Sequence, residues 1–168
     1  KISKKKKIGV VGTRATINSG AYKEELQKLN REIKVIGRSC PLLVPLIEEN
    51  WIDRPETKMI LRKYLRPLKA QHIDTLILGC THYPILYRDF KHMMGKNIRV
   101  LNSGEIVAES LKKYLERHPE IEEKLTRKGT RKFFTTDDAG RFEEFGKKFL
   151  ESGERHIKGA FHVEKITL

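Results

Sequence analysis

The chain is poor in cysteine and in aromatic residues, with two cysteines, one tryptophan and 8% aromatics in 168 residues. Two cysteines allow one disulfide at most, which excludes an exported scaffold held by several bridges and leaves thiol chemistry as the better expectation. No stretch approaches the roughly 20 consecutive apolar residues that a membrane span requires. The opening "KISKKKK" carries charge without the apolar region of a signal peptide. The expected location is therefore the cytoplasm, with no membrane partner. A glycine-rich phosphate loop with a following lysine is absent, and so is the dinucleotide glycine fingerprint. His72, His92, His118, His156 and His162 show no metal-ligand spacing with the cysteines, so no metal is expected.

What the chain does have is a globular balance of 38% apolar and 34% charged residues, enough for one ordinary domain or for one domain and part of another. Its formal charge of +13 attracts anions without naming them. An alternative function is therefore a nonenzymatic basic module that binds nucleic acid or another polyanion. The lysines and arginines are scattered over helices as well as the tail, and no aromatic-interleaved motif accompanies them, so specific nucleic-acid recognition is not expected.

Short β-rich runs alternate with amphipathic stretches. "KIGVVG" (7–12), "IKVIG" (33–37), "DTLILG" (74–79) and "IRVLN" (98–102) read as strands. Helices are predicted over 19–32, 55–71, 84–95 and 104–117, with Pro55 in a first turn and Pro67 kinking its helix or ending it early. The alternation predicts an α/β fold, a three-layer domain whose mainly parallel sheet is flanked by helices. Residues 118–132 are dense in charge and read as a surface connection. Beyond them "FFTT" (133–136) reads as a strand and 137–152 as a helix with Phe142, Phe145 and Phe149 on one face. One strand and one helix cannot build a core, so this tail is expected to dock on something. Trp51 and Tyr64 read as packing residues.

The chemistry gathers after the third strand, in "TLILGCTHYP" (75–84). In open α/β sheets ligands sit beyond the carboxyl ends of the strands. Gly79 permits a close turn, Cys80 follows at the lip, and Pro84 is expected to open the next helix, whose positive end favours a thiolate. His82 is two residues from Cys80, within reach of proton exchange with the thiol or a substrate. A cysteine at a strand end is more often packing than catalysis, but Thr81 and His82 add little to a core. An acyl-transfer enzyme built on Cys80 and His82 is the weaker chemistry, because nucleophile and base normally converge from distant segments. A second cluster, "GTRATINSGAY" (12–22), follows the first strand. Asn18 or Ser19 caps the following helix in the simplest reading, while Thr13 and Thr16 stay open as ligands for a carboxylate.

Together "GCTHYP" (79–84), "GTRATINSGAY" (12–22) and "SCPLLVPLIEEN" (39–50) resemble, in this order, the second half of a glutamate racemase of the aspartate/glutamate racemase superfamily. The similarity runs over about residues 7–151. It implies L- and D-glutamate as substrates, interconverted for peptidoglycan synthesis with no cofactor and no metal. In the family, two cysteines on opposite faces of Cα move the proton. Cys80 matches the second of them, Thr81 and His82 match residues that hold substrate and tune that thiol, Thr13 and Thr16 match cleft threonines, and Glu48 matches an acid that orients the histidine. The aspartate-serine-glycine, proline-tyrosine-glycine and cysteine-asparagine-threonine motifs that carry the first catalytic cysteine do not occur. Cys40 matches a noncatalytic position and reads as packing.

The resemblance also implies a division: a basic lead-in over 1–6, the inserted second α/β domain over 7–102, and a return segment over 103–168 that completes the first, absent domain. The expected state is a fragment or split gene product with half an active site. Its expected partner is the missing N-terminal half or a self-associated copy.

Overall fold

The computed structural model describes residues 3–127, 129, 131–151 and 161–167, the side chains of 148–151 excepted. Two compact units divide it, Lys1–Arg117 and His118–Leu168.

In the first unit, β1 (Lys7–Gly12) leads through α1 (Arg14–Asn18) and α2 (Ala21–Leu29) to β2 (Lys34–Ser39). The chain continues through α3 (Leu43–Glu48) and α4 (Pro55–Ala70) to β3 (Thr75–Gly79), then a 3-10 turn (Tyr83–Leu86), α5 (Tyr87–Met94), β4 (Arg99–Leu101) and α6 (Ser103–Arg117). The strands are parallel in the order β2-β1-β3-β4. Right-handed crossovers then place α1 and α2 on one face and α4 and α5 on the other. This is the three-layer α/β sheet that the alternation predicts.

The core lies between the sheet and the second pair of helices. Val11 of β1 and Leu76 and Leu78 of β3 lie on the face where Leu61, Leu65, Leu68, Phe90 and Met94 of α4 and α5 are buried, while Ile8 and Val10 are buried on the opposite face, the side of α1. Near-continuous burial along β1 is what a strand covered on both faces requires. Pro67 does not end α4, which runs on to Ala70. An interior proline costs about 3 kcal/mol, but burying Leu65 and Leu68 contributes about 1.5–3 kcal/mol each, and Pro67 itself is exposed. The packing outweighs the missing amide.

The helix expected over 19–32 is α2, which spans only Ala21–Leu29, and a short helix the sequence reading did not expect, α1, precedes it. Gly20 adopts φ +70, a left-handed conformation that breaks the run between α1 and α2. Trp51 is 45% exposed and outside the core, against expectation; its carbonyl accepts from the Thr57 hydroxyl at 2.6 Å. No helix among the described residues is long and apolar enough to cross a membrane.

The second unit holds α7 (Pro119–Glu122), β5 (Phe133–Thr135), α8 (Ala139–Glu151) and β6 (Val163–Lys165). β6, absent from the sequence reading, pairs in parallel with β5, so the tail is a strand-helix-strand unit. Phe133 and Phe142 gather around Phe161, at 4.2 and 6.4 Å between ring centroids. The side chain of Phe149 and all of His156 lie outside the described residues.

Gly146 lets α8 approach this cluster, since a Cβ there would stand 2.4 Å from the Phe161 ring. Alanine improves helix propensity by about 1 kcal/mol, whereas overpacking against a rigid ring costs about 1–3 kcal/mol. Gly146→Ala is therefore expected to destabilise the second unit, read as faster hydrogen exchange at Val163 and Lys165; slower exchange would show that propensity prevails.

Candidate active site

Strand order decides where a ligand can sit. From β1 the chain moves toward β2, and from β3 it moves toward β4, so the connections diverge between β1 and β3. In open α/β sheets ligands sit at such a switch point, beyond the carboxyl ends of the strands. Gly12 and Gly79 are register partners there, and Thr13 and Cys80 are the residues that follow them. The site residues expected from sequence thus emerge beside one another on neighbouring strands.

Neither glycine has room for a side chain. A Cβ on Gly12 would meet Thr16 at 3.0 Å, and one on Gly79 would meet both the Val11 carbonyl and the Tyr22 ring at 3.0 Å. Tyr22 therefore lies over the strand end, a neighbour of the switch point that the sequence reading missed.

Thr13 is the N-cap of α1, its Oγ1 accepting from the Thr16 amide at 3.2 Å, and the two hydroxyls are 3.0 Å apart. Asn18 and Ser19, expected to cap the following helix, are instead the last residue and the C-cap of α1. Ser19 Oγ donates to the Thr16 carbonyl at 2.9 Å and accepts a long bond from the Ala21 amide at 3.4 Å, and the N-cap of α2 is Gly20, with no side-chain cap bond. One cap bond leaves each threonine oxygen further hydrogen-bonding capacity toward a ligand.

Cys80, Thr81 and His82 occupy the turn after β3. Cys80 and His82 are half-buried and Thr81 is exposed. Cys80 Sγ is 4.0 Å from His82 Nδ1, and His82 Nε2 is 3.2 Å from Glu48 Oε1 at the end of α3. With a proton on Nε2, His82 donates to Glu48 and turns the Nδ1 lone pair toward the thiol. That order suits a base whose tautomer is fixed by a carboxylate. The helix expected from Pro84 starts as a four-residue 3-10 turn that runs directly into α5.

The other thiol is in the opposite environment. Cys40 is 0% exposed and donates to the Arg38 carbonyl at 3.6 Å. Burial pushes it up from 9.0 to about 12, partly offset by Arg38 and reinforced by Cys80. Tyr83, also fully buried, donates its hydroxyl to the Cys40 carbonyl at 3.0 Å, and its phenol too is pushed up by burial. A groove of about 1230 Å³ runs elsewhere, along β4 and α5, and includes neither thiol.

The same arrangement of chain is found in known proteins. Residues 2–111 match the family described as Asp/Glu/Hydantoin racemase. The chain is 39% identical over 162 residues to the glutamate racemase of Syntrophus aciditrophicus, covering 96% of itself and 57% of that protein. Against the glutamate racemase of Sulfurihydrogenibium sp. it is 41% identical over 168 residues, 100% of itself and 58% of the relative. Solved structures agree. A glutamate racemase isoform from Bacillus anthracis superposes with a TM-score of 0.84 at 34% identity, covering 99% of this chain and 59% of that one. The Francisella tularensis glutamate racemase, solved in complex with D-glutamate, gives 0.80 at 27% identity over 98% and 59%. The chain thus spans somewhat more than half the length of these relatives. The parallel sheet and the family match over 2–111 agree, and this chain belongs to the Asp/Glu/Hydantoin racemase family.

Proposed function

We propose that this chain supplies one side of a glutamate racemase active site, with Cys80 as one of the two proton-transferring thiols. The observation that carries the reading is the alignment of Cys80, His82 and Glu48 at the switch point, beside Thr13 and Thr16. As thiolate, one cysteine takes the Cα proton and becomes a thiol, while a thiol on the far face gives its proton to Cα and becomes a thiolate. Atoms and charge balance with no redox change and no cofactor. Thr13, Thr16 and Thr81 hold the substrate carboxylate where charge builds, and Glu48 orients His82. Proton transfer by one placed group contributes about 10² to 10⁴-fold, so preorganised donors around the carboxylate supply much of the rest.

The second thiol cannot be Cys40, which is buried and held protonated. It comes from polypeptide outside these 168 residues, the complementary racemase half or a second copy. The amphipathic α6 supports that assignment. None of its residues is buried, and Ile106, Val107, Leu111 and Tyr114 are exposed. An apolar stripe of that length in water is a docking face, in keeping with residues 103–168 serving a first domain carried by the partner. Its place is the cytoplasm, where D-glutamate is made for peptidoglycan.

Two measurements test this. In deuterated water the chain alone is expected to leave the L-glutamate Cα proton in place. Adding the complementary half restores exchange and racemisation, and Cys80→Ala then costs about 10² to 10⁴-fold. Exchange by the complemented enzyme that survives Cys80→Ala would sink the reading. Iodoacetamide at neutral pH is expected to modify Cys80 and spare Cys40 until denaturant is added. Because folding raises the Cys40 pKa, its contribution to stability is complete below pH 9.0 and is lost as pH rises toward about 12. Cys40→Ala is expected to flatten that alkaline decline.

A further inference from the structure

We propose that Tyr83 is a positioning residue for the Cys80 thiol, its buried hydroxyl fixing the distance between His82 and Cys80 by tying their turn to the chain that opens the Glu48 helix. The inference rests on the function proposed above and adds a residue to its machinery.

Packing alone does not explain this tyrosine. Its ring fills a closed space against Phe90, with centroids 6.0 Å apart, and a phenylalanine would fill the same space without burying a hydroxyl. A buried hydroxyl is costly unless it is bonded. This one donates to Cys40, 43 positions away in sequence.

The Cys40 carbonyl is a junction. It accepts from Tyr83 at 3.0 Å and from the Leu43 amide at 3.2 Å, in the first turn of α3, while the Cys40 amide donates to the Gly12 carbonyl at 2.9 Å. The end of β1 and the start of α3 are thereby held to one residue. From there α3 is rigid, with Leu43 and Ile47 fully buried, and it ends on Glu48. On the other side, the Tyr83 amide donates to the Cys80 carbonyl at 3.2 Å and the Ile85 amide to the His82 carbonyl at 3.1 Å. Main chain and side chain of Tyr83 thus clamp the three residues Cys80–His82 against the structure that bears Glu48.

His82 bridges the two parts, 3.2 Å from Glu48 on one side and 4.0 Å from Cys80 on the other. The second contact is at the outer limit for a bond to sulfur, so a small movement of the turn breaks it. The titratable groups around the thiol are His82 in its own turn, Glu48 from α3 acting through His82, Cys40 after β2 and Tyr83 itself. Tyr64 of α4 lies beyond Tyr83.

The test is Tyr83→Phe in this chain, with iodoacetamide alkylation of Cys80 followed by peptide mass spectrometry from mildly acidic to alkaline pH. Phenylalanine keeps the ring, and the Cys40 carbonyl keeps its Leu43 donor. Misplacing a reacting group by an ångström costs up to about 10²-fold, so the expected loss of Cys80 reactivity at neutral pH is about tenfold, with an altered pH profile. Glu48→Gln, acting through the same histidine, is expected to add little to Tyr83→Phe. An unchanged rate and profile, or full additivity, would overturn the proposal. So would alkylation of Cys40 in the variant, which marks loss of the fold and a purely structural tyrosine. The assay needs no substrate: if racemisation is never found while the Tyr83 effect persists, the failure belongs to the proposed reaction and not to the positioning role.

Discussion

Glycine faces glycine where β1 and β3 end, and the rest of the site depends on that pairing. A side chain at Gly12 or Gly79 would meet Thr16, Tyr22 or the Val11 carbonyl at about 3.0 Å. With neither present, α1 starts at once and its cap, Thr13, stands beside the turn that carries Cys80. The sheet order makes this junction the switch point, so the one place where helices diverge is also where hydroxyls, a thiol and an imidazole converge.

The two thiols show how strongly environment divides one residue type. Both follow strand ends of the same sheet, yet Cys40 is fully buried and its carbonyl and amide serve as structural junctions, while Cys80 is half-buried beside a histidine held by a carboxylate. Burial makes the first thiol a poor acid and a poor nucleophile. Access and a neighbouring base suit the second to proton transfer. In the reaction proposed for this site two thiols act on opposite faces of one carbon, and Cys80 is the one that this proposal takes from the chain.

The surfaces tell a similar story by different means. The core of the first unit is dense between the sheet and α4 and α5, whereas α6 buries none of its residues. In the second unit, two three-residue strands and one helix close over Phe133, Phe142 and Phe161. The tail therefore has a small cluster of its own, a feature that one strand and one helix would not have provided.

The periodicity of the sequence determined the parallel sheet and most of its helices, because strands covered on both faces read as short apolar runs and their helices as stripes at helical spacing. Cys80, Thr81, His82, Thr13 and Thr16 stood out as candidates by their place after strand ends, and Glu48 only through the resemblance to the racemase family. The sequence did not reveal β6, whose three residues Val163–Lys165 alternate with charge and gain strand character only from β5. Of the two outcomes it gave for Pro67 the early end does not occur, since α4 runs on to Ala70, and Trp51, expected to pack, is left outside the core. Only the tertiary structure decided that Thr13 caps a helix of its own, how close the Glu48 implied by the resemblance comes to His82, and that Tyr83 reaches Cys40. Those contacts join residues tens of positions apart, and no local pattern encodes a distance that exists only once the strands have paired.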